Sequence, residues 1–521
     1  MLSVMLVWGV SFGLGLLLTP LARALAARVN LVDRPDGCRK KHARATPVAG
    51  GLAVLLAGVG AVAVGLAVSP PTEVASGPIA EGPHVKPLNL WGLLLSAVLI
   101  CAIGVVDDFR GLRGRQKLLG QLVAVLIVVY SGVLVERVSV FHWSVDLGLL
   151  SWPFTVFWLL GAINSLNLID GMDGLLSSVA LIISLGIAVM VVLHGQWTSA
   201  YVALALAGAL LAFLFYNFPP ASIFLGDGGS MLIGLVVGVL AIHSSLKGPA
   251  TVAMATPLAL LAIPIIDTTA AIIRRKLTGR SIYTTDRGHL HHCMLRRGLS
   301  SQRVLVCVSF LCLVAVVGAM ASMAFRSTVG GSGEGDLVAI LAGCMVIGIL
   351  VMTNLFGNAE FLLIKKFLLA KTVSTLRGRA NGEADQLEVC LQGSVDWGRL
   401  WDTILASAGE LNLASVRLDV NAPALHENYH ARWDRGPDPG EHGNHWRAEI
   451  PLVAQGHPLG RLEISGSRDD EPVWMKIATV AKMVDDLELA ASALADSAIE
   501  AAATGPNPPG YNALAPAEAP R

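Results

Sequence analysis

Eleven apolar stretches recur between Leu2 and Asn358, each close to the roughly 20 residues a helix needs to cross a lipid hydrocarbon core. They lie near 3–25, 49–69, 90–106, 118–136, 152–168, 175–194, 198–217, 228–246, 252–273, 303–324 and 336–358. Such a chain has few options. In hydrocarbon every backbone N–H and C=O must be satisfied internally, and a helix does so within one segment. Composition agrees, with 54% hydrophobic and 15% charged residues, against about a quarter charged in ordinary globular domains. The 54 glycines suit membrane helices that approach closely. A formal net charge of zero directs the chain to no polyanion, so no nucleic-acid partner is expected. The seven cysteines are odd in number, form no CxxC pair and lie mostly in apolar runs, which indicates neither a disulfide framework nor a zinc site. Ala24-Leu25-Ala26 mimics a signal-cleavage pattern. The run before it has no basic leading segment and is long enough to span, so it is read as a retained first helix.

With eleven spans, the odd-numbered loops and the C-terminal region share one side. Loops 26–48, 107–117 and 274–302 carry Arg34, Arg39, Lys40, Lys41, Arg44, Arg110, Arg113, Arg115, Lys117, Arg274, Arg275, Lys276, Arg280, Arg287, Arg296 and Arg297. The even loops hold scattered bases such as Lys86, Arg137, Lys247 and Arg326. Excess Lys and Arg mark the cytoplasmic side. The expectation is therefore an all-α polytopic membrane protein of about eleven transmembrane helices in the cell (inner) membrane, with residues 1–360 as the membrane domain. After Lys365-Lys366 the composition becomes soluble. A linker is expected over 361–396 and a small cytoplasmic α+β domain over 397–504. Within that domain a helix is expected at 397–411, strands at 413–420 and 446–466, and a helix at 472–502. The Pro/Ala-rich end, 505–521, is expected to be disordered.

Five polar constellations fall on the odd loops. Asp107-Asp108 closes the third span and Lys117 opens the fourth. Paired carboxylates there can hold Mg²⁺ or orient a phosphate nucleophile, and the lysine can neutralise phosphate; a solvated helix end is the alternative. In Asn164-Ser-Leu-Asn167-Leu-Ile-Asp170-Gly-Met-Asp173-Gly174, polar residues recur every third position and would stack on one helical face, beside two glycines that let a ligand approach. Four such groups are costly to leave unpaired in lipid, which favours function over packing. In Phe224-Leu-Gly-Asp227-Gly-Gly-Ser230, small residues leave room around one carboxylate for a metal and phosphate oxygens; an ordinary N-cap is the alternative for Asp227. Asp286-Arg287-Gly-His289-Leu-His291-His292 gathers imidazoles and an arginine suited to phosphate, with a zinc site through Cys293 as competitor. The segment Asp33 to His42, with Lys40, reads by itself as a basic cytoplasmic loop. Asp267, in a Pro-interrupted span, is structural or lines the site, and His243 reads as a packed histidine.

The segments DRPDGCRKKHARATPVAGG, GVVDDFRGLRGRQK, NSLNLIDGMDGL, FLGDGGSMLIG and DRGHLHHCMLRRG, in this order over residues 1–360, resemble the polyprenyl-phosphate N-acetylhexosamine-1-phosphate transferase family. The resemblance implies a catalytic set of Asp107, Asp108, Lys117 and Asp170. It implies metal ligands Asp227 and Asn167 for Mg²⁺, with Mn²⁺ as a substitute. It further implies substrate-binding residues Asp173 (toward uracil), Asn164, His289, His291, His292, Arg287, Lys40 and His42. The implied reaction moves GlcNAc-1-phosphate from UDP-GlcNAc to undecaprenyl phosphate, releases UMP, and initiates a cell-envelope polysaccharide. His-Leu-His-His resembles the GlcNAc branch more than the MurNAc-pentapeptide branch. Other UDP-N-acetylhexosamines and UDP-MurNAc-pentapeptide remain alternatives. Expected partners are the UDP-sugar, the polyprenyl phosphate and the membrane, with a homodimer left open. A secondary transporter would place its carboxylates at the bilayer midplane between two similar halves, yet these polar groups gather at one face and no repeat is found. A scaffold whose soluble domain carries the function would leave the Asp, Asn and His clusters unexplained.

Overall fold

A computed structural model of the chain describes residues 2–34, 45–70, 87–141, 143–248, 251–277, 288–329, 332–353, 385–392, 397–410, 413–422, 427–434, 445–454 and 457–467. Lys40, His42 and Arg287 fall outside these residues, as do the helix expected at 472–502 and the tail. The chain divides into two compact units, the second beginning after Asn358 apart from two short excursions.

The first unit is mostly helical. In chain order it contains α1 (Leu2–Arg28), β1 (Val32–Asp33), β2 (Thr46–Pro47), α2 (Gly50–Val68), α3 (Leu90–Arg110), α4 (Gly114–Tyr130), β3 (Arg137–Val140), β4 (Trp143–Asp146) and α5 (Ser151–Ile169). There follow α6 (Leu175–Leu193), α7 (Trp197–Asn217), α8 (Gly226–Ser244), β5 (Leu246–Gly248), β6 (Thr251–Ala253), α9 (Ala255–Leu260), α10 (Ala262–Leu277), α11 (Leu290–Arg296), α12 (Ser301–Val329) and α13 (Ser332–Met352). Among the described residues nine helices are long and apolar enough to cross a membrane, and the chain is a multi-pass membrane protein. The other two apolar stretches differ for identifiable reasons. One is α4, of 17 residues. The other is interrupted at Leu261, between α9 and α10, where Pro264 lacks the N–H that would continue the ladder.

α8 is the hub. Its span is 89% buried, against 28% for α1, and α2, α3, α5 and α6 pack against it. Glycine makes this possible at two places. A Cβ on Gly104 of α3 would sit on the backbone of Gly228, and one on Gly51 of α2 would sit on Gly229. The first turn of α8 is therefore gripped backbone to backbone by two neighbours. Gly50 and Gly51 also donate to the carbonyls of Phe224 and Leu225 at 2.9 and 3.0 Å, which ties the start of α2 to the loop before α8.

The second unit contains β7 (Asp385–Gln392), α14 (Trp397–Glu410), β8 (Leu413–Ala422), β9 (Glu427–Asp434), β10 (His445–Ala454) and β11 (His457–Ser467). Its strands form an antiparallel sheet in the order β10-β11-β8-β9-β7. Trp397, Trp401 and Ile404 of α14 share one buried core with Val416, Leu418, Ala431, Leu462 and Ile464, as period-2 strands beneath an amphipathic helix require. β7 lies inside the stretch expected to be linker. Asp, Gln and Glu among its residues weaken the apolar signal of this edge strand, and pairing with β9 decides its conformation.

Candidate active site

The turn between α3 and α4 is the first element of the site. Gly111 adopts φ 65° and closes α3, its N–H donating to the Asp107 carbonyl at 2.8 Å. This is the left-handed terminus that glycine tolerates. Leu112 N–H then donates to Asp107 Oδ1 at 2.7 Å. α4 restarts at Gly114 with Gln116 accepting from Arg113 N–H, so Lys117 faces back along α3. Its Nζ lies 3.0 Å from Asp107 Oδ2 and 2.7 Å from Asp227 Oδ1. A separation of ten residues in sequence, from Asp107 to Lys117, becomes direct contact.

α5 supplies the amides. Asn167 Nδ2 donates to Asp227 Oδ1 at 2.6 Å and to Ser230 Oγ at 2.7 Å, while its Oδ1 lies 3.5 Å from Lys117 Nζ. One turn earlier Asn164 exchanges hydrogen bonds with Gln121 of α4 at 2.9 and 3.4 Å and donates to the Leu160 carbonyl. The stacked face expected for this motif holds for Asn164 and Asn167. It does not extend further, because α5 ends at Ile169. Asp170 caps α5, and Asp173 lies in the following turn, its Oδ2 accepting from Ala221 N–H at 2.9 Å.

Asp227 is not the cap of α8. It occupies the first turn, and the cap comes from another helix: Asp108 accepts from the N–H groups of Asp227 and Gly228 at 3.0 and 3.3 Å. Gly226, at φ 73°, has room for no side chain because a Cβ would meet Asp108 Oδ2. Asp108 thus fixes the backbone that carries Asp227.

The histidine segment docks on the Asp170–Gly174 turn. His289 Nδ1 lies 2.9 Å from Asp267 Oδ2, and the His291 ring lies against Gly171, where a Cβ would come 2.5 Å from Nε2. Burial pushes the His291 imidazole down to about 3, helped by His292 and His289 and opposed by Asp267, so the ring is neutral at physiological pH. His292, half-buried, tilts against His291 at 4.2 Å. Among the described residues no three His, Cys, Asp or Glu side chains converge on one metal position. Cys293 Sγ turns to the Gly288 carbonyl and His289 Nδ1 to Asp267.

The structure therefore brings together Asp107, Asp108, Lys117, Asn167 and Asp227, with Asp170 electrostatically coupled to them. Burial pushes the Asp170 carboxyl up to about 8, and the charges of Asp227, Asp108 and Asp173 add to it. That lies above the roughly 3.9 of an unfolded aspartate. The folded state consequently holds the extra proton between about pH 4 and pH 8, and stability falls as pH rises through that window. Asp170→Asn is expected to unfold with the wild type near pH 4 and several degrees above it at pH 9. Scanning fluorimetry in detergent reads this, and parallel curves would contradict it.

Gln121 and Asn217 were not legible as site residues, and Ser230 was read only as a small residue beside Asp227. Ser230 stands one helical turn from Asp227, a spacing that could have exposed it. Asn217, 4% exposed, accepts from Gly174 N–H at 3.0 Å and Ser177 Oγ at 2.9 Å and donates to the Ile223 carbonyl. It joins the Asp170–Gly174 turn to the Asp227 loop across a sequence gap that no local pattern spans.

Comparison with known proteins agrees with this geometry. The family model for glycosyl transferase family 4 matches residues 90–245, which contain every member of the central cluster. A probable undecaprenyl-phosphate N-acetylglucosaminyl 1-phosphate transferase of Bacillus subtilis is 33% identical over 313 residues, 60% of this chain and 82% of that protein. The decaprenyl-phosphate N-acetylglucosaminephosphotransferase of Mycobacterium tuberculosis is 31% identical over 350 residues, covering 62% and 82% of the two chains. The undecaprenyl-phosphate alpha-N-acetylglucosaminyl 1-phosphate transferase of Escherichia coli is 27% identical over 308 residues, covering 58% and 79%. Helix ends that gather phosphate-binding chemistry on an apolar bundle thus have a family to which they belong: the chain is a member of glycosyl transferase family 4, the polyprenyl-phosphate hexosamine-1-phosphate transferases.

Proposed function

We propose that the protein transfers GlcNAc-1-phosphate from UDP-GlcNAc to undecaprenyl phosphate, releasing UMP and leaving a lipid pyrophosphate-linked sugar that initiates a cell-envelope polysaccharide. The observation that carries the reading is the position of Lys117 Nζ among oxygens of Asp107, Asp227 and Asn167 at 3.0, 2.7 and 3.5 Å. Hard oxygen donors already surround a cation there, which is the donor chemistry Mg²⁺ accepts from one or two carboxylates plus substrate phosphates. Asp227 and Asn167, with Asp107 beside them, would hold the ion. Bound there, Mg²⁺ would neutralise pyrophosphate oxygens and make UMP a better leaving group.

The reaction forms a bond from an acceptor phosphate oxygen to the β-phosphorus of the donor and breaks the bond from that phosphorus to UMP. Such transfers are catalysed mainly by positioning and charge neutralisation. Lys117 supplies a point charge for the pyrophosphate. Asp107, held by Leu112 N–H and Lys117, faces the acceptor phosphate, while Asp108 keeps Asp227 in place. Asp173 would receive the uracil, and His289, His291 and His292 the donor phosphates. A site at helix ends suits an acceptor whose chain stays in lipid and a donor that arrives from water. The same reading has eleven spans, counting α4 and the broken α9–α10 pair, with the site and the second unit cytoplasmic under the positive-inside rule. The GlcNAc-specific names of the Bacillus, Mycobacterium and Escherichia proteins support the sugar.

Purified protein given Mg²⁺, undecaprenyl phosphate and UDP-GlcNAc is expected to release UMP. EDTA should abolish release, and Asp227→Ala should lower it at least about a hundredfold. Release only with another UDP-N-acetylhexosamine would correct the sugar. Silence from folded protein with every UDP-sugar would overturn the reading.

A further inference from the structure

Asp267 takes no part in the reaction described above, yet it is a carboxylate in an apolar helix, 2% exposed. Such a group is costly unless fully partnered. Both oxygens are spent on one short segment. Oδ2 lies 2.9 Å from His289 Nδ1, and Oδ1 accepts the N–H of Leu290 at 2.8 Å. Leu290 opens α11, whose own N-cap residue, His289, makes no side-chain cap. Asp267 therefore supplies the missing cap from α10 and orients the adjacent imidazole with the same carboxylate. An ionised carboxylate only accepts, so Nδ1 carries the proton and Nε2 is the atom left for a ligand. From His289 the order passes along α11. The rings of His289 and His291 stack at 6.1 Å, and His291 rests on Gly171 of the Asp170–Gly174 turn. The neighbouring backbone is held as well, since Gly288 lies against the Arg274 guanidinium of α10.

We propose that Asp267 is a positioning residue for the nucleotide-sugar: through His289 and the first turn of α11 it fixes the histidine segment against the Asp170–Gly174 turn. The proposal rests on the reading that these histidines meet the donor's phosphates. Asp267→Asn tests it with little change in volume. Its amide oxygen can still accept from Leu290, but its NH₂ then faces Nδ1, and the imidazole must move its proton to Nε2. The cap survives while the ring presents the wrong atom.

The experiment is a double-mutant cycle of Asp267→Asn and His289→Ala in the full-length protein, with melting temperature and steady-state UMP release from UDP-GlcNAc. Asp267→Asn is expected to melt near wild type and His289→Ala below it, since the latter leaves a buried carboxylate oxygen without its partner. Each is expected to raise KM for UDP-GlcNAc about tenfold, with KM for undecaprenyl phosphate unchanged. The double variant is expected to be no worse than the poorer single one. Asp267→Glu, with the same charge on a longer stem, should raise KM less, and it serves as the test if the Asn variant does not fold. Lower Vmax at unchanged KM in Asp267→Asn would make the residue merely structural and overturn the proposal. So would effects that multiply in the double variant, or a KM in folded Asp267→Glu raised as far as in His289→Ala. Those three outcomes leave the histidine reading standing. A wild-type KM in His289→Ala would remove His289 from the donor site and overturn both.

Discussion

Lys117→Met is expected to lower UMP release by about a hundredfold to a thousandfold, the range seen when one preorganised electrostatic donor is lost. The same variant should make the protein's melting temperature unusually sensitive to Mg²⁺. Both effects follow from one geometry. Nζ, on a side chain 18% exposed, is the only positive charge within contact of Asp107 and Asp227 among the described ion pairs, at 3.0 and 2.7 Å. Methionine fills the space and leaves two facing carboxylates without a counter-charge. The pair is only partly buried, so the loss stays below the about 3–5 kcal/mol of a fully buried pair, and the variant should melt below wild type in EDTA. A divalent cation added back meets an intact oxygen set and should recover most of that loss. The rate should not recover, because the ammonium proposed to neutralise the pyrophosphate is still missing. Lys117→Arg should also be impaired, since a planar guanidinium cannot place one point charge at three oxygens. Activity within tenfold of wild type, or a melting temperature indifferent to Mg²⁺, would refute the assignment.

Gly104→Ala is the second large effect, from one methyl group. A Cβ at Gly104 would fall on the Cα and N of Gly228 and 2.5 Å from the carbonyl carbon of Asp227. These are backbone atoms of the buried first turn of α8 and cannot rotate away, so α3 and α8 must separate. Overpacking a core costs about 1–3 kcal/mol, and here the damage has a direction. Asp108 lies one helical turn along the same face and would be drawn off the N–H groups of Asp227 and Gly228. The expected result is a lower melting temperature together with at least a hundredfold loss of UMP release. Gly104→Val should yield no folded protein. Gly161→Ala is the control, because no atom beyond the adjoining turns of its own helix lies within 4 Å of the added Cβ, and it should match wild type. A Gly104→Ala protein with normal activity would mean the grip on α8 does not set the site.

Much of the site was legible because membrane insertion makes polar groups conspicuous. Asp107, Asp108, Lys117, Asn167 and Asp227 stand out against apolar runs, and a group that lipid penalises demands a reason. Pairwise contacts were less legible. Nothing local says that Asp108 caps α8, and the ordinary expectation gave that cap to Asp227. The helical stack through Asp170 and Asp173 stops at Ile169, since a motif repeating every third residue reads alike in a helix and in the turn that ends it. Asn217 and Gln121 escaped notice because one amide in an apolar helix carries no mark of its partner.

The sequence by itself determined the class of structure, the apolar segments, and residue types suited to phosphate and metal. These follow from composition and spacing under the constraint that hydrocarbon leaves no backbone group unpaired. Only the tertiary structure decided which groups meet. It set Lys117 between Asp107 and Asp227, gave Asp108 to the amides of α8, and bound His289 to Asp267 across a gap of 22 residues. The physical reason is that hydropathy is a property of segments, whereas hydrogen bonds and ion pairs act over about 3 Å. Which side chains come that close depends on glycine contacts such as Gly104 on Gly228, and these exist only once the helices have packed.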